Sequence, residues 1–127
     1  MSTDPDDFVV LVVEDQEGPR EALKNILGSL CSVRLADNGT NAIIVLRQEF
    51  VDLVIEDVGL PDIDGIDLLK EIKAHWPTTT VIMMTGGGTV QSAEDAMKYG
   101  AVAYLLKPFN FHDLIALIQD AKSELAG

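Results

Sequence analysis

The sequence has a single cysteine, Cys31, among 127 residues. A lone thiol excludes an intramolecular disulfide and any multi-cysteine zinc or iron–sulfur centre, and it fits a reducing compartment. Basic residues are scarce as well: nine Lys and Arg stand against 21 Asp and Glu, for a net charge of -12. A surface this negative repels nucleic acid and anionic lipid, so no direct nucleic-acid binding and no membrane association are expected of this domain. No apolar run approaches the roughly 20 residues of a membrane span, and the opening MSTDPDDFVV lacks the basic region of a signal peptide. These absences predict a cytoplasmic protein. No linker, repeat or low-complexity segment divides the chain, and at this length about two thirds of the unfolded surface can be buried in one core. Residues 1–7, with three Asp and a Pro, read as a flexible tail, which leaves 8–127 as the domain.

Apolar residues make up 47% of the chain, enough to exclude wholesale disorder, and they fall in short β-branched runs. Phe8 to Val13, Leu53 to Ile55, Val81 to Met84 and Val102 to Leu106 are continuously apolar, which predicts strands buried on both faces of a parallel sheet. Val33 to Ala36 alternates and contains Arg34, as an edge strand would. Between these runs the spacing turns helical. Ala22, Leu23, Ile26, Leu27 and Leu30 form one stripe, Ile66, Leu69, Ile72 and Trp76 a second, and Leu114, Ile115, Ile118, Ala121 and Leu125 a third. Residues 40–50 and 89–99 supply two more helices, with Gly100 as a left-handed cap and Asn110 with Asp113 as a capping box for the last helix. Five β-α alternations specify an α/β, doubly wound, five-stranded parallel sheet with five helices.

In an open parallel sheet the functional site lies beyond the carboxyl ends of the strands. Glu14 and Asp15 follow the first apolar run, Asp57 the third, Thr85 the fourth and Lys107 the fifth. Three carboxylates aimed at one place repel one another unless a cation neutralises them. A hard divalent ion such as Mg²⁺, which takes one or two carboxylates and a phosphoryl oxygen, suits that donor set. With Lys107 as a second positive charge and Thr85 as a hydroxyl donor, the group forms a receptor for a phosphoryl group, and Asp57 is the candidate nucleophile.

VVED (12–15), DLVIEDVGLPDIDG (52–65), VIMMTGGG (81–88) and GAVAYLLKPF (100–109) closely resemble the corresponding segments of two-component response-regulator receiver domains, over essentially the whole chain. The resemblance implies a flavodoxin-like fold with strand order 2-1-3-4-5. It also implies transfer of phosphate from a sensor histidine kinase or phosphotransfer protein to an aspartate, with catalysis limited to the domain's own phosphotransfer and dephosphorylation. Position by position, Asp57 matches the phosphoacceptor, and Glu14 and Asp15 match the acidic pair that holds Mg²⁺, Asp15 directly and Glu14 through water. The Gly59 backbone carbonyl matches the remaining metal ligand. Thr85 matches the switch hydroxyl, Tyr104 the switch aromatic and Lys107 the phosphate-binding lysine, before a Pro108 expected in cis linkage. Movement of Thr85 toward Asp57 would vacate space for Tyr104, eased by the three glycines after Thr85. Gly59 and Gly86 occupy positions that govern access of water to the acyl phosphate. The stretch from Thr85 to Phe109 also resembles receivers of the nitrogen-regulation type, which often precede a transcription-activating ATPase. A downstream effector domain or partner protein, and homodimerisation on phosphorylation, accord with that family.

Other readings compete less well. Asp62 and Asp64 resemble part of a calcium loop, but Leu60 holds the obligatory first ligand position. The same pair resembles the aspartates of haloacid-dehalogenase-type phosphatases, which makes a metal-dependent phosphohydrolase the alternative. Those aspartates belong directly at a strand end, where Asp57 stands instead. Asp62 and Asp64 therefore read as turn and helix-cap residues, His75 and His112 as surface residues, and Cys31 as a packing residue.

Overall fold

The structure is a computed structural model and describes residues 8–126; the tail expected at 1–7 lies outside the described residues. Five strands alternate with five helices: β1 Val9–Val13, α1 Glu17–Leu27, β2 Ser32–Ala36, α2 Gly39–Gln48, β3 Leu53–Asp57, α3 Gly65–His75, β4 Thr80–Thr85, α4 Val90–Lys98, β5 Ala103–Leu106 and α5 Phe111–Ala126. The strands form one parallel sheet, as the apolar runs predict, in the order β2-β1-β3-β4-β5 that the family resemblance implies.

Period-two alternation divides the apolar side chains of the central strands between two layers. Leu11, Val13, Val54, Val81 and Met83 pack with Leu46 of α2, Leu68, Leu69 and Ile72 of α3 and Ala96 of α4. Val10, Val12, Leu53, Ile55, Ile82 and Met84 pack with Leu23 and Leu27 of α1 and Leu114 and Ile118 of α5. Each such side chain contributes roughly 1.5–3 kcal/mol by leaving water, which is why the sheet needs helices on both faces.

Some boundaries differ from expectation. β3 runs on through Glu56 to Asp57, so a buried carboxyl occupies a position where apolarity alone ends the strand. β5 begins at Ala103; the Val102 amide bonds Val81 O, but its side chain is exposed. Gly100 has φ +108° and closes α4 as predicted. At the start of α5, Asn110 Oδ1 accepts from the His112 amide at 2.8 Å, a simple N-cap bond to the second helical residue rather than the expected box with Asp113. A fully reciprocated box stands at Thr89 and Ser92 on α4.

Two aspartates read as turn residues do different work. Asp64 caps its own helix, accepting from the Ile66 amide at 2.7 Å. Asp62 caps α2 across the top of the sheet, accepting from the Gly39 amide at 2.8 Å and the Thr40 amide at 2.9 Å. The Gly39 and Thr40 donors hold the Asp62 carboxyl below the usual carboxylate range. Cys31 is buried, and burial pushes its thiol up to about 11, so it is inert packing.

Candidate functional site

The ends of β1, β3, β4 and β5 deliver the site. β1 pairs with β3, putting Val13 beside Glu56, and the residues just beyond and beside that pair are Glu14 and Asp57. β3 pairs with β4, putting Asp57 beside Met84, and Thr85 pairs with Leu106 on β5, one residue before Lys107. Carboxylate oxygens of Glu14, Asp15 and Asp57 all lie within 4.8 Å of one another. Glu14 is fully buried, Asp57 partly buried and Asp15 exposed, so the cluster opens to solvent on one side.

Lys107 spans the cluster. Its Nζ donates to Asp57 Oδ2 at 2.6 Å and also pairs with Glu14 Oε1. The other Asp57 oxygen, Oδ1, accepts from the Gly59 amide at 2.8 Å, so both acceptor oxygens have a fixed partner. Burial pushes the Glu14 carboxyl above its ordinary value, against the opposing pull of Lys107 and of the Gln16 amide. Burial pulls Lys107 down, but bonds from Asp57 and Glu14 outweigh it and hold the ammonium above the ordinary lysine value. At neutral pH the lysine is therefore charged. The Lys107–Pro108 peptide is cis.

Thr85 and Tyr104 each bond to the segment that follows β4. The buried Thr85 hydroxyl accepts from the Gly87 amide at 3.2 Å, within its own loop. Tyr104 already lies half-buried against the α2, α3 and α4 layer, its hydroxyl 2.7 Å from Ser92 Oγ. A side chain on Gly59 would stand 3.6 Å from Asp57 Oδ1, whereas one on Gly86 would meet nothing within 4 Å. Position 59 is therefore the one that borders the carboxylate.

Arg20 belongs to the site although no motif singles it out. Its Nη1 donates to the carbonyls of Glu14 at 3.0 Å and Asp15 at 3.3 Å, pinning the backbone that carries the acidic pair. Helical side chains lean toward the helix N-terminus, so a long residue in the first turn of α1 reaches back to the strand end. Arg20→Ala removes two bonds from a charged donor, worth roughly 1–1.5 kcal/mol in all, and is expected to speed amide exchange at Gln16 about tenfold. Unchanged exchange there would assign the turn's rigidity elsewhere.

The family model for the response regulator receiver domain matches residues 10–119. The chain belongs to this family. It is 39% identical over 117 residues to the transcriptional regulatory protein ZraR of Escherichia coli, covering 91% of this chain and 26% of that protein. The receiver domain therefore spans about a quarter of the length of the curated relatives it matches. A response regulator receiver domain protein from Clostridium thermocellum superposes with a TM-score of 0.87 at 32% identity, over 94% of this chain and 97% of that one. The beryllofluoride-activated NtrC4 receiver domain dimer gives 0.86 at 33% identity, over 91% and 97%. Such domains are phosphoacceptor switches of two-component signal transduction, and several of these relatives are transcriptional regulators. The phosphohydrolase alternative falls with this assignment, and Asp62, its key aspartate, is occupied as a helix cap.

Proposed function

We propose that this receiver domain takes a phosphoryl group onto Asp57 from the phosphohistidine of a sensor kinase or phosphotransfer protein, and passes the signal to an effector through the face made by α4, β5 and α5. The observation that carries this reading is the bridge from Lys107 to both Asp57 and Glu14 at the carboxyl edge of the sheet. An Asp57 oxygen attacks phosphorus, the bond from phosphorus to the imidazole nitrogen breaks, and its electron pair leaves with the imidazole. Lys107 then neutralises the phosphoryl oxygens, and the Gly59 amide holds the non-attacking oxygen in place. Thr85, whose hydroxyl accepts from the Gly87 amide and carries its own proton as well, donates that proton's hydrogen bond to a phosphoryl oxygen.

The donor set fits Mg²⁺. Three carboxylates against one ammonium leave an excess of two negative charges, all the ligands are hard oxygens, and one edge is open to water. Asp15, Asp57 and the Gly59 carbonyl would hold the ion, with Glu14 through water. When bound it supplies the positive charge that offsets the incoming phosphoryl oxygens. The absence of a side chain at Gly59, which borders Asp57 Oδ1, leaves water a path to the acyl phosphate and supports self-catalysed dephosphorylation as part of this reading.

Exposed Val90, Met97, Val102, Leu106 and Phe111 give the α4, β5, α5 side an apolar surface suited to an effector domain or to a second copy of the chain. Among the described residues no helix is long and apolar enough to cross a membrane. The strongly acidic surface leaves contact with DNA to other domains, and a cytoplasmic location follows for a domain that meets kinase and effector there. Treatment with acetyl phosphate and Mg²⁺ is expected to attach one phosphoryl group, mapped by mass to Asp57, and Asp57→Asn should abolish it. Mapping to Asp62 or Asp64 would refute the reading.

A further inference from the structure

The loop between Thr85 and α4 contains three consecutive glycines, and they are not equivalent. A Cβ on Gly86 or Gly87 would meet nothing within 4 Å. A Cβ on Gly88 would overlap the Tyr104 hydroxyl oxygen, stand 2.9 Å from Tyr104 Cζ and 2.6 Å from Thr85 Cγ2. The backbone of Gly88 is thus one wall of the space that Thr85 and Tyr104 share. Its φ is not positive, so alanine is compatible with the backbone there; only the neighbouring side chains object.

Ser92 forms the other contact. Its Oγ accepts from the Thr89 amide at 2.9 Å and donates to the Thr89 carbonyl at 3.0 Å, while Thr89 Oγ1 accepts from the Ser92 amide at 3.0 Å. A serine hydroxyl has one proton, and with that proton on Thr89 the Tyr104 hydroxyl is the donor in the 2.7 Å bond to Ser92 Oγ. The tyrosine is tied to the very group that caps α4.

We propose that Gly88 and Ser92 form a seat that holds the Tyr104 ring inward before any phosphoryl group arrives, and that couples the ring to the first turn of α4. Gly88 and Ser92 are positioning residues: neither touches Asp57. The seat stands on geometry alone. Its link to the switch rests on the phosphoacceptor reading: pulling Thr85 toward Asp57 drags the wall at Gly88 and, through Tyr104, the α4 cap, so the loop and the helix start respond as one unit. A ring already seated spares the adduct the work of ordering it.

The test uses tyrosine-labelled protein and ring NMR signals. The chain has two tyrosines, so Tyr99, with the Lys70 ammonium 4.2 Å from its ring centroid, is an internal reference, and Tyr104→Phe identifies the Tyr104 signals. Without any adduct, Gly88→Ala should shift the Tyr104 signals to those of a solvent-exposed tyrosine and leave Tyr99 unchanged. Ser92→Ala should shift them less, and Ser92→Thr should restore them. With Mg²⁺ and beryllium fluoride, Gly88→Ala should raise the half-saturating fluoride complex concentration about fivefold. Unmoved Tyr104 signals in Gly88→Ala, or equal movement of Tyr99, would overturn the seat. A displaced ring with unchanged half-saturation would overturn the coupling. Failure of the unaltered chain to bind beryllium fluoride would sink the phosphoacceptor reading and the coupling together, while the seat, read without an adduct, would stand.

Discussion

Glu56→Met is expected to make the domain more stable, by roughly 1–3 kcal/mol at neutral pH. Glu56 is the penultimate residue of β3, between Val13 of β1 and Met83 of β4, and it is fully buried. Its parity places it with Val54 on the side of the sheet covered by α2, α3 and α4, opposite Asp57. Neither carboxyl oxygen has a hydrogen-bond partner among the described residues. Burial first, then the charges of Asp64 and Asp57, push its carboxyl well above the ordinary range. The folded state therefore binds a proton that the unfolded chain releases near its ordinary value of 4.5. Stability is least penalised below that value and declines as pH rises through it toward the raised folded value. The methionine variant lacks that decline, so its advantage should be small in acid and grow toward neutrality. Glu56→Gln separates charge from polarity: it removes the pH dependence but keeps an unpaired buried amide, and should gain little. Urea melts at pH 4 to 8 check both variants, and a methionine variant less stable than the unaltered chain throughout would mean that the carboxyl has a partner worth more than its burial costs.

Glu56 also shows where the sequence pattern stops being informative. The parallel sheet was legible because strands covered on both faces must be continuously apolar, and the polar residues ending those runs marked the site edge at Glu14, Asp57, Thr85 and Lys107. A buried carboxyl inside β3 breaks that rule, so apolarity placed the strand end two residues early although Asp57 was still found. Contacts between distant segments were hidden for a different reason. Asp62 caps a helix 23 residues earlier in the chain, and local spacing can assign it only to its own turn. Arg20 and Ser92 act through backbone carbonyls and a cap, for which no side-chain motif exists. The capping box at Thr89 has Ser in place of the usual Glu or Gln, which conceals it from the pattern. The three glycines read as freedom for the loop, and Gly88 turns out to be a close approach of backbone to an aromatic ring. Steric need and flexibility call for the same residue, and only the fold tells them apart.

Lys107→Ala is expected to have opposite effects on two ligands of the same site. The ammonium is the partner of a buried carboxylate, Glu14, and of the acceptor oxygen Asp57 Oδ2. Removing it leaves the three-carboxylate cluster without its positive charge. Divalent cation binding should then tighten, by about tenfold for one unit charge withdrawn at close range in a partly solvated site. Phosphoryl transfer should fall by roughly 10²–10³, because the group that offsets charge on the phosphoryl oxygens is gone and a tighter metal cannot occupy its position. Stability should fall too. A wholly buried pair broken on one side costs about 3–5 kcal/mol, and the lysine side chain is 26% exposed, so about 2 kcal/mol is the expected loss without metal, recovered in part when Mg²⁺ is added. Glu14, already held up by burial, should move further up once its cation is lost, so the metal-free variant should lose stability more steeply than the unaltered chain as pH rises through the carboxylate range. Calorimetric Mg²⁺ titration, acetyl phosphate labelling and thermal melts measure the three effects on one preparation. If Mg²⁺ affinity and labelling fall together, Lys107 is shaping the carboxylate cluster rather than balancing its charge, and its assignment as the phosphate-binding group is wrong.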